Sequence, residues 1–322
     1  MGVTSKARDW AKSNWPTIAL VAAPMLGFAV FVSIGGLIRS AGVVNSPAFL
    51  SWQLLFALQT TSWALLWLIG TRSAQLFSAE VATWWPDAPG TLEVAWRYIA
   101  PRALVLVLAL APFASSPSGS PALATFRWAV FVLAGVALVA AWPFLLILGR
   151  TLFTASAEQV LTTIPRDLPR VRSLRARLQS SIAALGLIVA MHVVAYGAFR
   201  QAVVECVTEQ EAAISCGELA AVQPLPEAQV LLYGAVLTAA LGAIYWEVRV
   251  QLDRRARSLI DSAAPLVDGL IPDGFAARRS LRKELSEELE VGSDLRSQLV
   301  GAFGVLSPLI GALVTGLTGL AE

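Results

Sequence analysis

One histidine and two cysteines are the whole supply of soft metal ligands in this 322-residue chain, too few to build a zinc site. Charge is nearly as scarce. Asp, Glu, Lys and Arg make up 14% of the residues against 56% hydrophobic ones, and the mean hydropathy is +0.66. A water-soluble fold of this size needs far more charged surface, so the ordinary globular classes are excluded. Also lacking are a phosphate loop, a dinucleotide glycine fingerprint, an HExxH pair and a GxSxG elbow, short signatures tied to particular enzymatic chemistries. No catalytic residue, metal or cofactor is expected, and the chain reads as something other than an enzyme.

What the chain has is long apolar runs. Hydrocarbon is about 30 Å thick and a helix rises about 1.5 Å per residue, so roughly 20 mostly apolar residues make one crossing. Six stretches qualify: residues 17–38, 48–70, 98–113, 122–149, 180–204 and 230–248. The expected fold is therefore all-α and polytopic, with a transmembrane domain over 1–251, a helical tail over 252–298 and a glycine-rich apolar segment over 299–322. The first run follows a basic stretch but exceeds the roughly 7–15 residues of a signal core, and reads as an anchor that stays in place.

Basic flanks are retained on the cytoplasmic side. With the N-terminus inside, 21 of the 24 Lys and Arg residues fall on that side, leaving only Arg39, Arg127 and Arg200 outside. The expected location is a bacterial inner membrane, with N-terminus and tail cytoplasmic. Trp10, Trp15, Trp84, Trp85, Trp96 and Trp142 cluster near the expected boundaries, where an indole buries its ring and keeps its N–H wet.

The loops separate by charge. Cys206 and Cys216 share one expected external loop, where an oxidising compartment permits a disulfide worth about 2–3 kcal/mol to so short a closure. Glu205, Glu209, Glu211 and Glu218 are in the same loop, and no Lys or Arg occurs between Gln201 and Gln229. Such a loop is either a cation-concentrating pore rim or a solvated surface. On the other side, Arg166, Arg170, Arg172, Arg175 and Arg177 alternate with Val171, Leu174 and Leu178. These arginines are candidates for anionic lipid headgroups, and nucleic acid is not expected as a partner. Phe77, Val81, Trp84 and Trp85 follow one helical face. That face lies either in the headgroup layer or on the protein's own cytoplasmic part.

In the tail, Leu252, Ala256, Leu259, Ile260, Ala263, Leu266, Val267 and Leu270 recur at helical spacing and need a partner surface. A turn at Ile271 to Gly274 separates them from a second, charged helix marked by Leu281, Leu285 and Leu289. The stretch 299–320 is either a seventh crossing or a re-entrant, interfacial or self-associating segment.

Polar residues inside the spans are the remaining candidates. Gln53, Gln59, Thr60, Thr61 and Ser62 give the second span a polar stripe, suited to line a cavity or to bond a neighbouring helix. His192, in the middle of the fifth span, has to face protein or water; it either bonds a neighbouring helix, with Thr60 or Ser62 in view, or serves a relay or gate. Glu247 offers a cation site or pairs with Arg249. Gly234, Thr238 and Gly242 form a close-packing face, and Gly311 belongs to the glycine-rich end. Together these features lead to the expectation of a homo-oligomeric channel or pore, gated or assembled through its cytoplasmic helices. A non-conducting subunit that recruits a soluble partner through residues 252–298 comes second, and an intramembrane enzyme centred on His192 third.

Overall fold

A computed structural model of the chain describes residues 22–36, 47–86, 88–101, 121–157, 164–208, 227–265, 272–289, 305–311 and 313. Every element among them is helical. In chain order these are α1 (Ala22–Gly36), α2 (Pro47–Trp84), α3 (Thr91–Val94, continued by a π-helical turn over Ala95–Ile99), α4 (Pro121–Ser156), α5 (Ile164–Thr208), α6 (Glu227–Ala263) and α7 (Pro272–Glu288). A further helical turn covers 305–311. The turn at Ala95–Ile99 has a local cause. Pro101 lacks an N–H and its ring crowds the carbonyl four residues back, and a widened turn relieves that clash.

Among the described residues four helices, α2, α4, α5 and α6, are long and apolar enough to cross a membrane. Their outer faces agree with that: Leu58 is 66% exposed, Ile69 63% and Trp246 68%. Apolar side chains arrayed outward in this way suit hydrocarbon, whereas in water they would form a patch demanding a partner. Trp96 and Trp142 are exposed, while Trp10 and Trp15 lie outside the described residues. Of the expected first crossing, the described part is the 15-residue α1; of the third, residues 98–101 continue a helix that begins at Thr91.

The helices are much longer than the crossings expected of them. The 45 residues of α5 extend over about 68 Å, more than twice the hydrocarbon thickness. Contacts give the directions. Trp52 meets Phe199 and Trp63 meets His192, so α2 and α5 are antiparallel. Gly70 meets Pro143 and Phe144 while Trp85 stacks on Phe153, so α2 and α4 are parallel. Tyr233 meets His192 and Asp253 meets Arg175, so α6 is antiparallel to α5. Hence the C-terminal halves of α2, α4 and α6 gather round the N-terminal half of α5 at one end of the bundle, which is the arginine-rich end.

There the apolar core continues without a break from the membrane-depth helices. Phe77 and Val81 of α2, Leu152 and Ala155 of α4, Val171, Leu174 and Leu178 of α5, and Leu252, Ala256 and Leu259 of α6 are all buried in one cluster with Trp63, Ile182 and Ile188. The stripe over residues 77–85 therefore belongs to α2 itself and packs on the protein. Trp84 and Trp85 are used likewise: the Arg170 guanidinium lies 5.4 Å from the Trp84 ring, and Trp85 stacks on Phe153 at 5.1 Å.

Helix α7 closes this end. It begins at Pro272, so the expected turn residues Pro272 to Gly274 form its first turn, where proline costs no hydrogen bond. Leu285 and Leu289 insert into the same core. Arg278 and Arg282 donate to the carbonyls of Pro265 and Ala264, each at 3.0 Å, groups that the end of α6 leaves without helical partners.

At the opposite side of the fold α1 lies antiparallel on α2 through small residues. A Cβ placed on Gly27 would overlap Thr61 Oγ1 and come within 2.8 Å of the Ala57 carbonyl oxygen. Gly27→Ala is therefore expected to cost about 1–3 kcal/mol of stability, and adding Thr61→Ala should recover part of it. Gly36→Ala is the comparison, since nothing among the described residues lies within 4 Å of that position. Equal thermal midpoints for Gly27→Ala and Gly36→Ala in detergent would mean that this close approach does not exist.

Candidate functional site

Polar side chains at the middle of the bundle concentrate where α2, α5 and α6 meet. His192 Nε2 and the Tyr233 hydroxyl are hydrogen-bonded at 2.8 Å, linking α5 to α6. The Trp63 ring of α2 lies 5.9 Å from the imidazole, and Tyr196 packs on Tyr233 at 5.1 Å. The neighbour that His192 bonds is therefore α6, while Thr60 and Ser62 spend their hydroxyls on the carbonyls of Phe56 and Leu58 in their own helix.

Gln59 is one helical turn from Trp63 on the same buried face of α2. Trp52 against Phe199 and Trp63 against His192 bracket it, so the register sets it opposite the segment of α5 between those two residues. Its side chain is 2% exposed, and neither amide atom has a hydrogen-bond partner among the described residues. The Trp63 Nε1–H is in the same condition. Beside the His192–Tyr233 pair, a cavity of about 110 Å³ opens between α4, α5 and α6, lined by Ala137, Ala141, Leu185, Ile188, Leu237 and Leu241 among others.

The other polar candidates have structural partners. Gln53 Nε2 donates to the Phe31 carbonyl oxygen at 2.5 Å and so joins α2 to α1. Thr60 is buried beside Gln59. Glu247 is half-buried on α6; its neighbour Arg249 bonds the Tyr245 hydroxyl at 2.6 Å and faces Asp253 at 3.9 Å. Glu205 is half-buried near the end of α5. Glu209, Glu211, Glu218 and Cys216 lie outside the described residues, and the Cys206–Cys216 bridge with them.

Four of the arginines nominated for headgroups are engaged within the chain. Arg170 pairs with Asp167 at 2.9 Å, Arg175 with Asp253 at 2.5 Å, and Arg172 with Glu288 of α7 at 3.5 Å. Arg177 bonds Ser73 at 2.8 Å and lies 3.7 Å from Glu80. Arg166 contributes backbone to the first turn of α5. Together these pairs tie α5 to α2, α6 and α7.

Among the packing residues, Gly242 admits Val305 at ordinary contact distance, 3.4 Å from where a Cβ would stand. Gly311 is tighter, 3.2 Å from the Ala190 carbonyl oxygen and from Val194. The turn 305–311 therefore runs alongside α5 at the level of His192. Gly234 is buried in α6, and the Thr238 hydroxyl is buried with no partner among the described residues. Gly27, Gly70 and Gly149 make approaches as close as any of these, although nothing in their spacing singled them out.

No family model matches this chain, and no similar curated protein or solved structure was found. Function has to be argued from the site. Among the described residues no three His, Cys, Asp or Glu side chains converge. The cluster brings together an amide, an indole N–H, an imidazole and a phenol in the interior of the bundle.

Proposed function

We propose that the chain forms an oligomeric membrane channel whose conducting path runs past Gln59, Trp63, His192 and Tyr233 and is controlled from the arginine-rich end. The observation that carries this reading is Gln59, a buried amide with both polar atoms unpaired among the described residues. Each unsatisfied polar group in hydrocarbon costs several kcal/mol, so a bundle that keeps this amide, an indole N–H and an imidazole together is built to admit water or a hydrated solute. In this reading the chain crosses six times, with the arginine-rich end cytoplasmic, the Cys206–Cys216 hairpin external and residues 299–320 entering the membrane beside α5. Leu252, Ala256, Leu259 and Ile260 of the tail's stripe lie on α6 and pack in one cluster with α2, α4 and α5, while Leu266, Val267 and Leu270 lie outside the described residues; this packing supports a gate over a surface for recruiting a soluble protein.

Flux in proteoliposomes holding only the purified full-length protein tests the proposal. Ion or water flux is expected above that of empty liposomes and at least about tenfold lower in Gln59→Leu. Arg172→Ala with Arg282→Ala, which loosens α7, should raise it. Flux equal to empty liposomes in both the native protein and the loosened variant would end the channel reading.

A further inference from the structure

A second cleft opens between α2 and α4, one that none of the polar residues above accounts for. It measures about 420 Å³, within the 300–1,000 Å³ of ordinary ligand sites. Its walls change character along their length. Trp67, Trp142 and Pro143 line one end and Gln75, Ser78 and Arg150 the other, with Thr71 and Leu146 between them. Because α2 and α4 are parallel, both walls make this change in the same direction. Trp67 to Gln75 and Trp142 to Arg150 each cover eight residues, about 12 Å. The apolar end points into the membrane-depth part of the bundle, and the polar end toward the arginines. Gly70 fixes the cleft by letting α2 touch Pro143 and Phe144 beside it, at 2.9–3.0 Å from where a Cβ would stand.

A wall that is aromatic and apolar at membrane depth and cationic at the boundary has the polarity of an anionic amphiphile. Arg150 is 9% exposed. It interacts within the chain, yet a guanidinium carries five N–H donors in a planar fork matched to phosphate oxygens. Gln75 adds amide donors at the open edge and Thr71 a hydroxyl. Trp67 and Trp142 are partly exposed, the posture of indoles beside a lipid chain.

We propose that this cleft binds one anionic phospholipid, with the headgroup phosphate at Arg150 and Gln75 and an acyl chain between Trp67 and Trp142. Charge complementarity selects the occupant, because among the described residues Arg150 is the one charged side chain in the lining. A site of this kind joins α2 to α4 from the lipid side and makes the bundle responsive to membrane composition.

The test is native mass spectrometry of the full-length protein in mild detergent, titrated with phosphatidylglycerol, with phosphatidylcholine, and with inorganic phosphate as competitor. One phosphatidylglycerol is expected to be held at least about tenfold more tightly than phosphatidylcholine, with no displacement by phosphate at equal concentration. Arg150→Gln should remove most of that preference. Gln75→Glu, at an exposed position, puts a like charge beside the headgroup and should weaken phosphatidylglycerol at least about fivefold. Arg254→Gln, at an exposed position on α6 outside the cleft lining, should leave binding unchanged. Equal affinity for the two lipids, an undiminished preference in Gln75→Glu, or displacement by free phosphate would each overturn the proposal, the last by showing a soluble-anion site.

Discussion

Phe77→Ala is expected to lower the stability of the protein by about 3–5 kcal/mol, the range for removing a large buried aromatic side chain. Phe77 has no exposed surface. Its ring meets Trp84 edge-on at 6.5 Å and carries the Arg177 guanidinium at 5.6 Å, so the substitution removes a cation–π contact together with its buried area. Leu76, the preceding residue on α2, is 50% exposed, and Leu76→Ala should change stability by only about 0.5 kcal/mol. The pair separates two architectures. Were residues 77–85 a helix floating in the headgroup layer, Phe77→Ala would weaken membrane contact and leave folding stability near that of Leu76→Ala. Denaturation of the detergent-solubilised protein, followed by near-ultraviolet circular dichroism, decides between them. Similar midpoints for the two variants would remove Phe77 from the core.

Residues 71–84 also show why part of this fold was legible and part was not. Hydropathy reports which residues suit lipid, and it stopped at Gly70. Helical continuity depends instead on the absence of breakers, and Gly70 does not break α2, because its missing side chain is what lets Pro143 and Phe144 approach. The same reasoning extends α6 forward to Ala263, whereas α5 reaches back through the arginines to Ile164 in spite of Pro169 in its second turn. Helical class and apolar faces follow from length and period alone. The pairing of faces does not. Spacing nominated Gly234 and Gly242, whereas Gly27, Gly70 and Gly149 touch as closely because of what happens to lie opposite them.

The candidate site divides along the same line. That His192 had to find a polar partner follows from its place in an apolar run; that the partner is Tyr233 follows only from the antiparallel register of α5 and α6. Gln59 and Gln53 are six residues apart in one polar stripe, and the structure uses them differently. Gln53 spends its amide on the Phe31 carbonyl, while Gln59 faces the α5 side of α2, unpaired among the described residues. No rule of composition separates the two. The difference arises from a rotation of 600° along α2 at about 100° per residue, which turns one amide toward α1 and the other toward the interior.

Asp167→Ala is expected to cost about 3–5 kcal/mol, because it strips a buried cation of its carboxylate. The Asp167 side chain is 1% exposed and that of Arg170 is 10% exposed, with 2.9 Å between them. The guanidinium also sits over Trp84 at 5.4 Å. Removing one charge leaves the other desolvated, and that residual penalty dominates the loss. Replacing both partners with apolar residues of similar size should therefore do less harm than the single change. Asp167→Leu with Arg170→Met is expected to be at least about 2 kcal/mol more stable than Asp167→Ala, since the desolvation cost of both ions disappears and a thioether keeps favourable contact with the indole. The double-mutant cycle, measured by denaturation in detergent, should give a coupling energy above about 1.5 kcal/mol. A solvated pair held for lipid headgroups would behave otherwise: its coupling would stay below about 1 kcal/mol and shrink further with added salt. Salt thus supplies an independent reading of where Arg170 spends its charge. Coupling that persists from low to high ionic strength assigns it to the core of the bundle, and coupling that vanishes would return it to the membrane surface.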